Sequence, residues 1–248
     1  MDVIFEAQEA ALYESWLETP AGDLYQRASQ ALVDRILDCR PGWRVLDVGC
    51  GLGLHLEHLR ERGLLCQGLE AGPVLARLAG QRLGPRVEVE VGDAHDLPYE
   101  DNSFDAVIMV NTMELLERRA QALAEAGRVA ASRVCLVTFN PLSPTCLAWR
   151  LPRRRHPLAG GHALAVWSLR RLVREVLGPV PLTWAGALLW PRVKVGPWPL
   201  GGLVGVCAAV TPRLMTRPLV VPVTGHRQAA RPAHSHGRVT LAPRSGNQ

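Results

Sequence analysis

The run VLDVGCGLG, residues 45 to 53, constrains this chain more than any other stretch: an apolar segment ends in glycines at positions 49, 51 and 53, just ahead of a leucine-rich segment from Leu54 to Arg62. The apolar run reads as a buried strand and the leucine-rich one as a helix. Glycines between them allow the backbone to turn sharply and let a ligand approach the main chain without striking a Cβ. A flat or anionic ligand lying against the turn, close to the helix N-terminus, is the expected consequence. Taken alone the turn specifies a nucleotide-type site and no particular chemistry.

The same alternation continues down the chain. LLCQGLE reads as a second strand, Pro73 to Leu83 as a helix, VEVEVGD as a third strand and FDAVIMV as a fourth. Arg118 to Val129 then reads as a helix and RVCLVTF as a fifth strand. Such alternation implies a parallel sheet covered on both faces. Two helices, over residues 5 to 18 and 22 to 38 and broken at Thr19-Pro20, precede it. A helix starting near Val166 and two apolar stretches, Leu182 to Trp190 and Leu203 to Val210, follow, and the stretches fit a final antiparallel pair. Residues 1–40 are expected as a helical cap, 41–222 as the core with a basic lid over 141–165, and 223–248 as a disordered tail rich in Gly, Pro, Arg, His and Ser.

Strand two ends in Glu70, seventeen positions after Gly53, where a carboxylate can accept both hydroxyls of a ribose diol. Nicotinamide enzymes and methyltransferases share that feature. The dinucleotide fingerprint is not met, because the third glycine comes one position early and Leu54 takes its place. Strand three ends in Gly92-Asp93-Ala94 and runs on into HDLPYEDNSFDAVIMV. Here the chain resembles the class I S-adenosylmethionine-dependent methyltransferases, in particular the type 11-like branch that acts on small molecules.

The resemblance implies an α/β, Rossmann-like, seven-stranded, mostly parallel sheet with helices on both faces, and S-adenosylmethionine as cofactor. Asp47, Gly49, Gly51 and Gly53 match the loop around the methionine part, Glu70 the ribose ligand, and Asp93 with Ala94 the adenine contacts. Asn111 matches the position facing the methionine carboxylate and the methyl group. ALYESWLETPAG, residues 11 to 22, resembles the leading helix of this branch and makes Tyr13 a cofactor contact or a mere packing residue. Tyr13 and His95 are also the nearby candidates for a base, needed only if the acceptor must lose a proton. His55 and His58 are expected on the outward, solvated part of the first core helix. Leu52 and Gly72 stand where the branch commonly has hydroxyl residues, and the turn before strand five lacks its usual Pro-Gly-Gly, which leaves that turn's shape open.

The implied function is methyl transfer to a small-molecule acceptor. A catalytically silent cofactor-binding scaffold and a lipid or quinone methyltransferase at a membrane surface are the alternatives. Net charge is +5, and Glu175 is the only carboxylate after Glu125, so the C-terminal half is strongly basic. That polarity allows peripheral contact with an anionic membrane, or a lid over a carboxylated, phosphorylated or quinone-like acceptor. All but one of the 28 basic residues are arginine, which fits coding bias equally well. Nucleic acid is not expected, since Asn140-Pro141 follows strand five and does not match the N-P-P-Y motif of nucleic-acid amine methyltransferases. No metal is expected, because His226, His234 and His236 lack tetrahedral spacing. Six unpatterned cysteines and an acidic start, MDVIFEAQEA, without a basic then apolar leader, point to the cytoplasm.

Overall fold

A computed structural model describes residues 4–149, 162–189 and 192–212, all within one compact unit, Met1–Arg213. The remainder of the basic lid segment and the whole tail from 223 lie outside the described residues. Helices α1 (Ala7–Leu17) and α2 (Pro20–Leu37) meet at Thr19, whose hydroxyl accepts the Gly22 N–H at 3.2 Å while Pro20 opens the first turn. This is the usual pairing of a hydroxyl cap with a proline that has no N–H to lose.

Strand β1 (Arg44–Val48) is followed by α3 (Leu54–Glu61), β2 (Leu65–Glu70), α4 (Pro73–Leu83), β3 (Glu88–Val91), β4 (Phe104–Val110) and α5 (Arg119–Val129). Then come β5 (Ala130–Phe139), α6 (Pro144–Trp149), α7 (Val166–Leu177), β6 (Leu182–Leu188), β7 (Lys194–Gly196) and β8 (Leu203–Ala209). The sheet order is β3-β2-β1-β4-β5-β8-β6-β7. The first five strands are parallel and the last three join antiparallel. The sheet thus has eight strands where seven were expected. The additional one, β7, is three residues long and pairs only with β6 at the edge, too short to leave a hydrophobic period in the sequence.

Helices α5 and α7 cover one face through Leu123, Ala126, Leu169 and Val173; α2 covers the other through Ala28, Leu32 and Ile36. Close approach needs small residues: a Cβ on Gly205 of β8 would stand 2.6 Å from the Ile36 methyl. The missing Pro-Gly-Gly turn is explained by there being no loop, since α5 ends at Val129 and Ala130 already has extended backbone (φ −86, ψ 129). Strand β5 therefore starts three residues before the expected Arg133. Among the described residues no helix is long and apolar enough to cross a membrane.

Candidate functional site

Strand β1 is buried from Val45 to Val48 and delivers the chain into three left-handed glycines, Gly49 (φ 76), Gly51 (φ 55) and Gly53 (φ 76). At Gly49 the conformation and the space both demand glycine, because an added Cβ would lie 2.5 Å from the Thr112 hydroxyl, which donates to the Val48 carbonyl at 2.8 Å. At Gly51 a Cβ would meet nothing, so only its φ asks for glycine. Four of the loop's N–H groups are engaged within the protein. Gly49 and Cys50 N–H groups donate to the Leu69 carbonyl, Gly53 N–H to Cys50, and Gly51 N–H to Glu70 Oε2 at 2.8 Å. Glu70 also accepts the Gly72 N–H on Oε1 at 2.9 Å. One carboxylate at the tip of β2 therefore stitches the glycine loop to the start of α4, a role the sequence did not reveal.

Asp47, two residues before Gly49, is 1% exposed, and its Oδ1 has no hydrogen-bond partner among the described residues. Burial, and then the charge of Glu70, push its carboxyl up to about 8. Asn111, the first residue after β4, is also left-handed (φ 55) and buried. Its Oδ1 accepts the Tyr25 hydroxyl at 2.7 Å and its Nδ2 donates to Glu114 Oε1 at 2.7 Å. Asp93 is half exposed at the rim. Its Oδ1 accepts the His95 N–H at 2.8 Å and faces His95 Nδ1 at 2.7 Å, and the backbone N–H is the main reason its carboxyl stays below the usual range.

These residues enclose a chamber of about 330 Å³ at the C-terminal ends of β1, β2 and β4. Asp47, Gly49, Gly51, Glu70, Asp93, Ala94, Asn111 and Tyr13 all line it, together with Phe5, Tyr25, Gln26 and His55. Ligands of open α/β sheets bind in this crevice, beyond the carboxyl ends of the strands.

Residues 46–137 match the family model described as "Methyltransferase domain". Over those residues the chain is similar to a methyltransferase domain. Ajmaline N-methyltransferase of Rauvolfia serpentina is 29% identical over 160 residues, covering 60% of this chain and 55% of that protein. Chloroplastic tocopherol O-methyltransferase of Arabidopsis thaliana is 36% identical over 104 residues, covering 39% of this chain and 30% of that protein. The chain thus spans about half or less of the length of these curated relatives. A methyltransferase structure from Thermotoga maritima superposes with a TM-score of 0.67 at 20% identity, over 80% of this chain and 94% of that one. One from Aquifex aeolicus gives 0.59 at 18% identity, over 84% and 100%. These likenesses fix the fold.

Two expected residues do not line the chamber. Gly53 lies behind the loop, where its added Cβ would press on Leu83 of α4. His95 is 2% exposed and packs under the loop after β3, its carbonyl accepting the Gln121 amide. Two histidines overturn the expectation of a solvated helix face. His55 is 9% exposed, faces the chamber and hydrogen-bonds to Ser29 at 3.0 Å. Burial, and then its neighbour His58, lower its pKa to about 4, so the ring stays neutral. His58 is held by Asp34 at 3.0 Å, and Arg62 reaches the same carboxylate at 2.7 Å. The cause is that α3 has β2 on one side and α2 on the other, so the stripe 55, 58, 62 is a helix–helix seam. Its i, i+3, i+7 spacing was the available signal.

Sequence reasoning also missed Tyr25 and Glu114. Tyr25 stacks on Phe139 with ring centroids 5.4 Å apart and tilts against Trp16 at 5.3 Å, while Trp16 stacks on Tyr13 at 6.1 Å. Burial pushes the Tyr13 hydroxyl up to about 12, so it keeps its proton near neutral pH. Glu114 is fully enclosed, and burial raises its carboxyl against the pull of Thr138, the Phe139 N–H and Asn111.

Proposed function

We propose that this chain is an S-adenosylmethionine-dependent methyltransferase acting on a small molecule. The observation that carries the reading is Asp47 Oδ1, a sealed carboxylate oxygen without a hydrogen-bond partner among the described residues, beside a glycine loop whose Gly49, Cys50, Gly51 and Gly53 N–H groups are engaged. Asp47, Glu70 and Asp93 all line the chamber, and among the described residues no lysine or arginine does. A surface of that kind fits an ammonium and a sulfonium. It repels a pyrophosphate, for which the Gly49, Cys50, Gly51 and Gly53 N–H donors are already engaged.

In this reading Asp47 takes the amino group, with Gly49 and Gly51 shaping the loop and Gly53 seating it on α4. Glu70 accepts from the ribose diol, Asp93 from the adenine amino group, and the Ala94 N–H meets the ring. Asn111 and Tyr13 border the methionine end. S-adenosylmethionine supplies a sulfonium-bound methyl group that an acceptor lone pair displaces in line. The chain's part is to hold both partners near attack distance, which supplies much of the rate without a protein nucleophile. Residues 1–40 serve as a cap that closes the chamber with Phe5, Tyr13 and Tyr25. Calorimetry with S-adenosylmethionine is the test: the wild type should bind, and Asp93→Ala and Gly51→Val should each abolish binding. A wild type that shows no heat of binding would remove the reading.

One observation favours a membrane-surface setting for the same chemistry. Leu142 and Leu147 of the β5–α6 region and Trp198 and Leu200 of the β7–β8 turn are exposed, and the Asn140 amide holds the two together by donating to the Pro199 and Gly201 carbonyls. Flotation with anionic phosphatidylglycerol vesicles should show salt-sensitive binding that Trp198→Ser with Leu200→Ser weakens. Equal recovery with neutral phosphatidylcholine vesicles would count against it.

A further inference from the structure

Ser29 of α2 fixes which nitrogen of the His55 ring carries the proton. Its Oγ lies 3.0 Å from the Gln26 backbone carbonyl and 3.0 Å from His55 Nε2. A carbonyl only accepts, so both contacts are hydrogen bonds when the hydroxyl gives its single proton to Gln26 and Nε2–H donates to the Ser29 lone pair. The neutral ring then carries its free lone pair on Nδ1, which has no hydrogen-bond partner among the described residues. His55 lines the chamber beside Gln26 and Tyr25, and with Nε2 turned to α2 it is Nδ1 that is left for a ligand. Tyr25 is bonded to Asn111, so this wall belongs to the methionine end of the chamber in the proposed reading. Among the described residues no other imidazole lines it.

We propose that His55 Nδ1 takes the proton of the methyl acceptor, and that this acceptor is a hydroxyl compound. The inference rests on the proposed methyltransferase function. An oxygen lone pair forms the new C–O bond and the S–C pair stays on sulfur as a neutral thioether. The O–H proton passes to Nδ1, and its bonding pair remains on oxygen. Burial, and then His58, hold the ring neutral down to about pH 4. Such a base takes a proton readily from an oxygen that is being methylated, since a protonated ether is a far stronger acid. It takes none from a methylated amine, which keeps its proton at neutral pH as a lysine does. Ser29 acts here as a positioning residue that keeps Nε2 protonated and Nδ1 bare.

Nitrogen NMR of the full chain with isotope-labelled histidine, saturated with S-adenosylhomocysteine, tests this by titration with phenol and with anisole, the same ring without the proton. At pH 7 the His55 ring should show Nε2–H and a bare Nδ1; phenol should shift the Nδ1 resonance and anisole should not. The ratio of phenol to anisole affinity should fall ~5-fold in His55→Phe, the worth of one hydrogen bond. Ser29→Ala should mix the two tautomers in the same spectrum, a change that a merely structural serine would not produce. A protonated Nδ1 in the wild type, an Nδ1 resonance that phenol does not move, or an unaltered affinity ratio in His55→Phe overturns the assignment. The wild-type spectra decide the matter even where His55→Phe fails to fold. Failure of the wild type to bind S-adenosylhomocysteine overturns the methyltransferase reading beneath it, while the tautomer stays readable in the free chain.

Discussion

An aspartate sealed from water beside a second carboxylate is the most consequential single residue of this chain. Asp47 titrates near pH 4 in an unfolded chain and at about 8 in the fold. A raised folded pKa means that the stabilising contribution is full below pH 4 and is lost as pH climbs through 8. Urea unfolding of the wild type should therefore lose a few kcal/mol across that window, and Asp47→Asn should flatten the slope. A cation bound beside Asp47 would pull its proton off, so S-adenosylmethionine binding at pH 7 should release a proton, measurable as a dependence of calorimetric heat on buffer ionisation enthalpy. Asp47→Asn should remove that dependence; its persistence would assign the proton elsewhere. Gly49→Ala combines a left-handed φ of 76 with a Cβ pressed onto Thr112, and should destabilise by about 2 kcal/mol in the same unfolding assay. Asp47, Glu70, Asp93 and Asn111 were legible because they sit at strand ends in a recognisable spacing. Tyr25 and Glu114 were not, since a tyrosine within an apolar helical stripe reads as core and a glutamate in NTMELLE reads as solvated.

At the scale of elements, LPYEDNS, the loop that leads into β4 and belongs to the stretch carrying the resemblance, is clamped. Arg128 of α5 donates to the Leu97 and Tyr99 carbonyls at 2.9 and 2.7 Å and pairs with Asp101 at 3.0 Å and Glu125 at 2.7 Å. Leu97 N–H in turn donates to Glu125 at 3.0 Å. The loop lies directly after Asp93 and Ala94, so its anchorage fixes the chamber rim. Arg128→Met leaves Glu125, Asp101 and two carbonyls short of a donor, and the melting free energy should fall by about 2–4 kcal/mol. Loss below 1 kcal/mol would mean water replaces the guanidinium without penalty. The parallel strands β1, β2, β4 and β5 could be read in advance because each is a run of apolar residues bounded by turn signals. Strand β7 and the direct passage from α5 into β5 could not, as both are set by pairing with a neighbour already in place.

For the whole molecule, a ligand that binds only the folded chain should stabilise it by about 2.7 kcal/mol at a hundredfold excess over its Kd. For 248 residues that corresponds to a rise of roughly 5–10 °C in Tm, and S-adenosylhomocysteine should give a comparable shift when matched in saturation. The chamber needs partners from distant parts of the chain: Tyr25 is bonded to Asn111, 86 residues on, and α2 packs against β5, β6 and β8. During synthesis the first forty residues leave the ribosome long before Phe139 and Gly205, the surfaces they will rest on, have been made. The wall translated earliest is therefore the last to close, and a nascent chain arrested before β8 should bind no cofactor even with every glycine-loop residue already outside the tunnel.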